Sequence, residues 1–511
     1  MPLATLMENA GGAVARFVLR QYPQAQRVLV ICGKGNNGGD GHVAARLLAS
    51  AGKSVRVLLL AEESALQGEA AAAFAALRGS AVEIVTATSE ETLYAKFFDA
   101  DLIVDAVLGT GFKPPLRGLA VAVRERLAAS SIPVVAVDLP SGWDADSTEE
   151  KNPEAFRADA VVTFTAPKLA HIFGNLTGST NKPVVVAEIG SPAAAVISET
   201  QLFWAGSAKE IAERPREANS NKGRFGHVLV VGGGWGKAGA PAMASLAALR
   251  TGAGLVTAAV PECIVGTVAG VTPELMVIPM DETKHLPTGG GTFSRRNLNR
   301  DRMIALLERK TVVALGPGLS TESDAAMFAR VLVEKTRMPL VLDADGLNAF
   351  KGMTQMLNGA ERTLVLTPHP GEMATLLGVT VKDIEADRVK IARDFAVKHH
   401  VTLVLKGWRT LVAHPDGGVA VNTSGNPAMA KGGSGDILTG IVAAMLAQYP
   451  ENVSAAVEAA VYLHGLAADF AARAQDEHTV LATDTVAHLS DAFQYRVRDE
   501  DGLTWLCGLR A

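Results

Sequence analysis

VLVICGKGNNGGDGHVAARLLA, residues 28–49, joins an apolar run to a helical pattern through a glycine-rich turn. The apolar run is typical of a buried strand, and the pattern after the turn is typical of a helix. Gly33, Gly35 and Gly38 have the GxGxxG spacing of a dinucleotide-binding loop. The stretch therefore predicts a strand–turn–helix unit of an α/β fold, with a candidate ligand site at the turn.

The polar residues of this turn depart from a phosphate-binding loop. Such a loop has small neutral groups at the helix N-terminus and an acid near the end of the next strand, a position that Glu62 fits. Asp40 lies at the predicted helix start, where its charge would repel a phosphate, and Asn36 and Asn37 add amide groups. These residues favour a site for a cation or a polar substrate. The alternative is that Asp40 caps the helix and the Asn residues only tolerate a left-handed backbone.

Strand-like and helical patterns alternate through the first 190 residues. Branched apolar runs occupy residues 27–32, 55–60, 82–87, 101–107, 133–140, 160–166 and 183–190. Several are apolar at consecutive positions, which indicates strands covered on both faces, and helical patterns of roughly 10–15 residues separate most of them. The first domain is therefore expected to be a doubly wound, Rossmann-like three-layer sandwich.

A polar, charged segment at 212–226 interrupts the alternation and indicates a linker or a domain boundary. The alternation then restarts with apolar runs at 227–234, 254–260, 311–318, 339–346, 363–370 and 402–407. A hairpin is predicted over 410–422 with PDGG at its turn, and two long amphipathic helices follow. We expect a first domain, a linker and a second doubly wound domain over 1–195, 196–226 and 227–511.

The composition is that of a globular protein without a membrane segment. Of the 511 residues, 48% are hydrophobic and 20% are charged, and no apolar run reaches the ~20 residues that a membrane helix needs. The formal net charge of -5 gives no basic field for nucleic acid. Cys32, Cys263 and Cys507 form no CxxC pair, and the N-terminus lacks a signal-peptide pattern. We expect a cytoplasmic protein without nucleic acid or membrane partners.

Two further strand ends of the first half carry acidic or hydroxyl side chains. Asp105 lies in LIVDAVLGTG, and Asp138 and Ser141 lie in VVAVDLPSGW. Loops at the carboxyl ends of parallel strands converge, so these groups are expected to share one pocket with the asparagines of the first loop. Asp138, which follows an apolar strand, is expected to have a raised pKa and to transfer protons. The alternative is that each Asp is a helix cap or turn residue.

The glycine loop NTSGNPAMAKGGSGDILTGI, residues 422–441, is the strongest motif of the second half. Its four successive residues Gly432, Gly433, Ser434 and Gly435 leave backbone N–H groups free to bind an anion at the start of a long helix. Asp436, in the first turn, is placed to deprotonate a hydroxyl aimed at a nucleotide's terminal phosphate. The alternative is a glycine-rich turn with Asp436 as N-cap.

Other residues of the second half have two interpretations each. His369 lies between two prolines and is either a site residue or part of a rigid turn. Asp343 and Asp345 either coordinate magnesium through water or cap a helix. Trp235 either stacks on a ligand ring or fills the domain surface.

LMENAG, GNNGGDG, LIVDAVLGTG and DLPSG, in this order, resemble the N-terminal epimerase domain of the bifunctional enzymes that repair hydrated NAD(P)H. The resemblance covers residues 1 to about 190; family members usually carry a further helical segment before LMENAG. It implies potassium ligands at Asn37, Asp105 and Ser141, and proton transfer by Asp138. It implies that the hydrated nucleotide is bound by Asn36, Asn37, Gly38, Gly39, Asp40, Gly109, Thr110, Gly111, Phe112, Lys113, Pro114, Pro115 and Asp138.

Residues 205–490 resemble the nucleotide-dependent NAD(P)H-hydrate dehydratase branch of the ribokinase-like superfamily. The motifs are NKGRFGHVLVVGGG, RTGAGLVT, ALGPGL, VLDADGLN, LTPHPGEM, LKG and MAKGGSGD. The resemblance implies that the hydrate is held at Ala253, Gly318, His369 and Asp436. It implies that ADP or ATP is bound by Lys406, Gly407, Trp408, Arg409, Thr410, Gly432, Gly433, Ser434 and Gly435.

Together the two resemblances imply an isomerase fused to a lyase. The first domain would interconvert the R and S hydrates of NADH or NADPH, and the second would dehydrate the S hydrate with ADP or ATP. Potassium, magnesium with the nucleotide, and a homo-oligomer are expected. The alternative is a ribokinase-like vitamin or sugar kinase whose N-terminal domain binds a dinucleotide without turnover.

Overall fold

The structure is a computed structural model that describes residues 1–284 and 291–510. The chain forms two compact units, of which the first combines Met1–Ile197 with Arg496–Ala511 and the second is Ser198–Tyr495. Each unit has its own sheet covered by helices. The predicted α/β class with two doubly wound domains is confirmed.

The first unit has a sheet of eight strands in the order β20-β7-β6-β5-β4-β1-β2-β3, numbered along the whole chain. All neighbours are parallel except β20 and β7. The strands are Arg27–Cys32 (β1), Ser54–Leu59 (β2), Glu83–Thr86 (β3), Leu102–Ala106 (β4), Val134–Val137 (β5), Ala160–Phe164 (β6), Val184–Ala187 (β7) and Leu503–Cys507 (β20). The helices are Leu3–Gln21 (α1), Asn36–Ser50 (α2), Gly68–Arg78 (α3), Leu119–Ala128 (α4) and Leu169–Phe173 (α5).

The central strands of this sheet are apolar because helices cover both faces. β1, β4 and β5 are buried at nearly every position, and α1 and α2 pack together on one side. Close backbone approach explains the glycines of the first loop. A Cβ on Gly33 would lie 2.1 Å from the carbonyl oxygen of Val107, and one on Gly38 would lie 1.9 Å from that of Gly33. These glycines let α2 start directly above the strand ends.

The C-terminal strand β20 belongs to the first unit. The predicted boundaries, in contrast, place the whole tail in the second domain, 227–511. β20 pairs antiparallel with β7, and the side chain of Trp505 is buried 6.4 Å from the ring of Phe17 on α1. Its indole N–H donates a hydrogen bond to Asp499 at 3.0 Å. The apolar residues of the tail are covered by this sheet, so residues from 496 onward join the first unit.

The second unit has a sheet of ten strands in the order β11-β10-β9-β14-β15-β16-β17-β18-β19-β8, parallel from β11 to β17. A separate antiparallel pair, β12 and β13, lies outside this sheet. The strands are Leu202–Trp204 (β8), His227–Val231 (β9), Leu255–Pro261 (β10), Met276–Met280 (β11), Glu282–Lys284 (β12), Gly291–Phe293 (β13), Val312–Leu315 (β14), Leu340–Leu342 (β15), Leu364–Leu366 (β16), Thr402–Leu405 (β17), Leu411–Ala413 (β18) and Val419–Val421 (β19).

Twelve helices are described in the second unit, and α14 is the most deeply buried. Every residue from Ile437 to Ala447 is buried, which fits a helix that is apolar on all sides. A Cβ on Gly440 would lie 2.0 Å from the carbonyl oxygen of Ala244, so α6 approaches it closely. The helices are Gly239–Thr251 (α6), Val265–Ala269 (α7), Arg300–Leu307 (α8), Ser323–Lys335 (α9), Ala344–Asn348 (α10), Pro370–Leu377 (α11), Val381–Ala386 (α12), Arg388–His399 (α13), Ser434–Gln448 (α14), Val453–Ala474 (α15), Ala482–Ala487 (α16) and Leu489–Gln494 (α17).

The segment predicted as a linker, 196–226, is mostly part of the second unit. β8 lies within it and pairs with β19 at the edge of the sheet, and the 3-10 helix Ala205–Ala212 packs on α15. Each predicted apolar run contains a strand, and the predicted hairpin is β18 and β19. In the parts of the chain described, no helix has both the length and the apolar character that a membrane crossing requires.

Candidate active sites

The first candidate site is a cavity of about 1270 Å³ in the first unit. β1, β4 and β5 are neighbours in the sheet, so the loops at their carboxyl ends meet at one edge. Among the predicted residues, the lining includes Asn36, Asn37, Asp40, Gly109, Thr110, Gly111, Phe112, Lys113 and Asp138. Gly38, Gly39, Pro114 and Pro115 are not in this lining, and neither are Asp105 and Ser141, which are buried and which we expected to share the pocket. Gly38 and Gly39 are instead buried within α2.

Asp138 directly follows β5 and is held by three hydrogen bonds. Its Oδ1 accepts from Lys168 Nζ at 2.9 Å and Thr163 Oγ1 at 2.8 Å, and its Oδ2 accepts from the Thr110 N–H at 3.0 Å. Burial acts to raise the pKa of this carboxyl, but the charge of Lys168 and the hydrogen bonds outweigh burial and hold the pKa below its usual range. The predicted raised pKa of Asp138 is wrong because a lysine 30 residues away pairs with it.

The ring of His171 is hydrogen-bonded to the backbone of both residues of this ion pair, Asp138 and Lys168. The ring is buried, with Nε2 2.7 Å from the Asp138 carbonyl oxygen, and Nδ1 accepts from the Lys168 backbone N–H at 3.0 Å. Since a backbone N–H occupies Nδ1, the proton is on Nε2, which donates to Asp138. Burial lowers the pKa of His171 to about 4, so the ring is neutral. Asp138 has a left-handed φ of 66°, and the hydrogen bond from His171 to its carbonyl oxygen stabilises this backbone conformation.

Asp105, on β4, forms a buried pair with Ser141. The Ser141 hydroxyl and N–H donate to its carboxylate at 2.7 and 2.8 Å, and the Val107 N–H donates at 3.2 Å. Burial raises the pKa of Asp105 to about 6, and these hydrogen bonds oppose the rise. In the described chain, Asn37 Nδ2 is buried without a hydrogen-bond partner, and rotation of the amide would present its oxygen instead. A carboxylate, a hydroxyl and an amide oxygen are donors that suit a hard cation.

Asp40 lies in the second turn of α2 and does not cap the helix. The N-cap is Gly35, and Asn36 and Asn37 are the first helical residues, so the alternative of capping with left-handed asparagines is wrong. The half-buried carboxylate of Asp40 lines the cavity and has no hydrogen bond or ion pair within the described residues. Burial raises the pKa of Asp40 to about 8, and the charge of Asp138 adds to the rise.

The second candidate site is a cavity of about 730 Å³ in the second unit. The predicted residues in its lining are His369, Lys406, Gly407, Trp408, Arg409, Thr410, Gly433, Ser434, Gly435 and Asp436. Ala253, Gly318 and Gly432 are not in this lining. Ala253 is buried at the end of α6, and Gly318 adopts φ 65° beside Lys237. The structure therefore brings most, but not all, of the predicted residues together.

Asp436 is the third residue of α14, at the wall of this cavity. Gly433 is the N-cap with φ 95°, so the alternative of Asp436 as the N-cap is wrong. The Gly435 and Asp436 N–H groups of the first turn have no backbone partner among the described residues and are available to an anion, whereas the Ser434 N–H donates to the Lys431 carbonyl oxygen at 3.4 Å. A Cβ on Gly435 would lie 3.4 Å from Lys406 Nζ, so glycine leaves this space open. Burial raises the pKa of Asp436 to about 7, and nearby carboxylates add to the rise.

Lys406 is surrounded by carboxylates in the same cavity wall. Its Nζ lies 2.9 Å from Asp343 Oδ1 and 3.6 Å from Glu372 Oε2. Thr439, one turn after Asp436 on α14, donates to the other Asp343 oxygen at 2.7 Å. Burial acts to lower the pKa of Lys406, but Asp343 and Glu372 outweigh burial and raise it. The lysine is therefore a fixed cation beside Asp436.

Comparisons with known proteins agree with this division into two sites. The family model described as YjeF-related protein N-terminus matches residues 3–170, and the model described as NAD(P)H-hydrate dehydratase matches residues 228–493. The chain is 41% identical over 506 residues to the bifunctional NAD(P)H-hydrate repair enzyme Nnr of Moorella thermoacetica, covering 96% of this chain and 92% of that protein. The chain belongs to the bifunctional NAD(P)H-hydrate repair enzyme family.

Other members of the repair enzyme family are similar over the same extent. The enzyme of Coxiella burnetii is 38% identical, covering 95% of this chain and 93% of that protein, and the enzyme of Escherichia coli is 35% identical, covering 98% and 92%. A solved structure of an ADP/ATP-dependent NAD(P)H-hydrate dehydratase from Bacillus subtilis, co-crystallized with ATP/Mg2+, covers 58% of this chain and 99% of its own, with 28% identity and a TM-score of 0.47.

Within this repair enzyme, the residues with two interpretations are now placed. His369 caps α11, because its Nδ1 accepts from the Gly371 N–H at 3.0 Å, and it also lies in the cavity lining. Asp343 makes no cap hydrogen bond to α10 and binds Lys406 and Thr439 instead. Trp235 is 60% exposed, so it lies at the surface of the second unit.

The predicted magnesium ligands are already engaged by protein groups. Asp345 Oδ2 accepts from the Ser320 N–H at 2.9 Å and lies 3.1 Å from Lys237 Nζ. Within residues 1–284 and 291–510, no group of three or more His, Cys, Asp or Glu side chains is arranged for a metal ion.

Sequence reasoning missed several residues of both repair sites. Lys168 and His171 follow a strand whose end carried no recognised motif, and the APK tripeptide was the only available signal. In the second site, His464 on α15 lines the cavity, as does the strand-end loop 422–427, which belongs to the quoted glycine-loop motif but was given no role. His464 is buried, and burial lowers its pKa to about 4. A single histidine on an apolar helix gives no signal that separates a site residue from a core residue.

Proposed function

We propose that this chain repairs hydrated NADH and NADPH. The first unit interconverts the R and S hydrates, and the second unit dehydrates the S hydrate with ADP or ATP. The observation that carries the proposal is Asp436 in the first turn of α14, behind an open glycine N-terminus and beside Lys406 and His369 in one cavity. This is the arrangement that transfer of a phosphoryl group to a hydroxyl requires.

The dehydration proceeds in two steps in the second unit. Asp436 accepts the proton of the ring hydroxyl, and the hydroxyl oxygen attacks the terminal phosphorus of the nucleotide. The nucleotide, now one phosphoryl group shorter, is the leaving group. The phosphate ester then departs with the electron pair of its carbon–oxygen bond, and loss of a proton from the neighbouring carbon restores the nicotinamide double bond. The N–H groups of Gly435 and Asp436 bind the phosphate oxygens at the positive end of α14.

A base with a pKa near neutrality suits the first of these steps. The pKa of Asp436 is about 7 because of burial and the neighbouring Asp343, so the carboxylate is present at neutral pH and still accepts a proton readily. Lys406, held by Asp343 and Glu372, supplies a positive charge beside the transferred phosphoryl group. Magnesium enters with the nucleotide, and ADP is the expected donor in a fused enzyme of this type.

The first unit binds the hydrate in the cavity between Asp138 and the two glycine loops. Asp138, ionised and fixed by Lys168, faces the hydrated ring and takes part in proton transfer. Potassium held by Asn37, Asp105 and Ser141 would balance the buried charge of Asp105 and order the loops around it. Both hydrates are then available to the second unit.

A recovery assay tests the proposal. Mixed R and S hydrates of NADH are supplied with ADP or with ATP, and the absorbance of reduced nicotinamide is followed. Recovery of all the hydrate supports both activities, whereas recovery that stops at the S fraction supports the dehydratase alone. An absence of recovery with both nucleotides would refute the proposal.

The rival vitamin or sugar kinase is distinguished by its products. A kinase releases a stable phosphorylated product, whereas the proposed dehydratase releases free phosphate and the reduced nicotinamide in equal amounts. Measuring both in one reaction with the S hydrate separates the two functions. Accumulation of a phosphorylated ring compound without reduced nicotinamide would favour the kinase.

A further inference from the structure

We infer that Asp40 is the general acid of the epimerisation and donates its proton to the departing hydroxyl of the hydrate, with Asp138 as its ionised counterpart. The inference rests on the epimerase function proposed above and assigns a catalytic role to a second carboxyl of the same cavity. Asp40 and Asp138 come from separate elements, α2 and the loop after β5, and both line the cavity.

The two carboxyl groups have opposite hydrogen-bond environments. Asp138 accepts hydrogen bonds from Lys168, Thr163 and Thr110, each of which favours the anion. Asp40 has no donor of this kind in the described parts of the chain, and its carboxyl faces the cavity half-buried. A carboxyl without donors, close to an anion that is fixed by donors, is the one of the pair that retains a proton.

The groups packed around Asp40 leave Asp138 as its main electrostatic neighbour. Helices α1 and α3 meet this part of α2 through uncharged residues, since a Cβ on Gly11 would contact the Asp40 carbonyl and one on Gly39 would contact Ala70. His42, on α2 itself, is buried and neutral because burial lowers its pKa to about 4. The other charged residues of the cavity lining are Lys34, Glu62, Lys113, Arg117 and Lys168. The pKa of Asp40, raised to about 8 by burial and then by Asp138, agrees with this geometry.

The chemistry of a hydrated nicotinamide requires such an acid. The hydroxyl sits on the carbon next to the ring nitrogen, so the nitrogen lone pair can expel it if the oxygen is protonated. Asp40 donates that proton, and the carbon–oxygen bond breaks with its electron pair on oxygen. The hydroxyl departs as water, and the ring becomes a cation. Water then adds to the opposite face and gives its extra proton to the Asp138 carboxylate. Exchange with solvent returns Asp138 to the anion and Asp40 to the acid, so atoms and charges balance.

The anion of Asp138 also favours the cationic intermediate. A carboxylate held by Lys168 and Thr163 is preorganised, and it stabilises the positive ring without reorganisation of water. Two carboxyls whose environments separate their protonation states are the usual arrangement for paired acid and base roles. Asp40 and Asp138 have this arrangement.

Substitution of Asp40 is the direct test. Epimer mixing is measured without nucleotide in the full-length protein, by separating the R and S hydrates of NADH over time. Asp40→Asn keeps the size and the hydrogen-bonding capacity of the side chain but removes the proton donor, so kcat is expected to fall by about 100-fold or more while KM changes little. Asp40→Glu, which retains a carboxyl, is expected to recover part of the rate. If kcat of Asp40→Asn stays within about threefold of wild type, the inference is wrong.

The pH profile separates a catalytic acid from a structural role. The wild-type rate is expected to fall as pH rises through about 8, because Asp40 loses its proton. This alkaline fall is expected to be absent from the residual activity of Asp40→Asn. Glu69→Gln is the matched control, since it removes a carboxylate from the first turn of α3 outside the cavity lining, and it should retain both the rate and the profile. A profile that keeps the same alkaline fall in Asp40→Asn would overturn the inference.

Oxygen exchange tests the bond that breaks. In water enriched in oxygen-18, each epimerisation is expected to place one solvent oxygen on the ring carbon, at the rate of epimer mixing. Epimer mixing without this incorporation would overturn the role of Asp40 as the acid for hydroxyl departure. If wild-type protein does not accelerate mixing at all, the proposed epimerase function itself fails. If wild type and Asp40→Asn both accelerate mixing, the epimerase function stands and only the role of Asp40 fails.

Discussion

Asp436 controls the proposed dehydration through its protonation state. It acts as a carboxylate, and its pKa is raised to about 7 by burial and by Asp343. We therefore expect kcat for dehydration of the S hydrate to be constant above pH 8 and to fall about tenfold per pH unit below pH 6, as the carboxylate is protonated. The profile is measured with the S hydrate and saturating nucleotide by the absorbance of reduced nicotinamide.

Substitution of the same residue supplies the control for this profile. Asp436→Asn removes the base without a large change in size, so dehydration is expected to fall by about 100-fold or more. The first unit's epimer mixing should be unchanged, because its cavity is formed by other residues. If Asp436→Asn dehydrates at nearly the wild-type rate, Asp436 is not the base.

At the level of single residues, the sequence placed candidate side chains at the strand ends but did not give their protonation. Asp138 was correctly expected in the pocket because it follows an apolar strand. The direction of its pKa depends on Lys168, which is distant in sequence and follows a different strand. Asp40 shows the reverse case, since burial and then the charge of Asp138 raise its pKa, and no donor within the described residues opposes them. Such effects follow from contacts that a linear pattern does not contain.

The C-terminal strand β20 forms the edge of the first unit's sheet beside β7. Trp505 is buried against Phe17, and its indole N–H binds Asp499. Trp505→Ala is expected to destabilise the first unit by about 3–5 kcal/mol, because it leaves a large cavity and removes one of the hydrogen bonds to the buried Asp499 carboxylate. Hydrogen exchange of the β6 and β7 amides measures the effect without relying on the second unit.

A surface tryptophan is the matched control for this element. Trp235 is 60% exposed, so Trp235→Ala is expected to change the unfolding free energy of its own unit by less than about 0.5 kcal/mol. If Trp505→Ala leaves the protection of β6 and β7 unchanged, β20 does not stabilise that edge.

Elements with long apolar runs were predictable, whereas short edge strands were not. β1, β9 and β14 occupy runs of consecutive apolar residues, because helices cover both faces of the sheet. β8 and β20 are short edge strands whose partners, β19 and β7, lie far away in sequence. Their pairing is decided by tertiary contacts, so the tail was assigned to the second domain and β8 to a linker.

At the scale of the whole molecule, the two candidate sites lie at the carboxyl ends of the parallel strands of two sheets. The doubly wound class was predictable because strand and helix patterns alternate in both halves. The discontinuity of the first unit was not predictable, since the returning segment is short and has no motif. Each cavity is lined by residues of a single unit. The two proposed activities are therefore expected to be separable by substitution.

Mixing two single variants tests this separation. Asp138→Asn alone, given mixed hydrates and ADP, should restore reduced nicotinamide rapidly only up to the S fraction, because the R hydrate then converts at the slow uncatalysed rate. Adding Asp436→Asn, which has an intact first cavity, should restore full and rapid recovery even though the two active sites are on different chains. Asp436→Asn alone should give no recovery, which serves as the control. If Asp138→Asn alone already recovers all the hydrate, Asp138 is not required for epimerisation. If the mixture still stops at the S fraction, either the hydrate does not exchange freely between chains or Asp436→Asn does not epimerise it, and direct measurement of epimer mixing by Asp436→Asn decides between these outcomes.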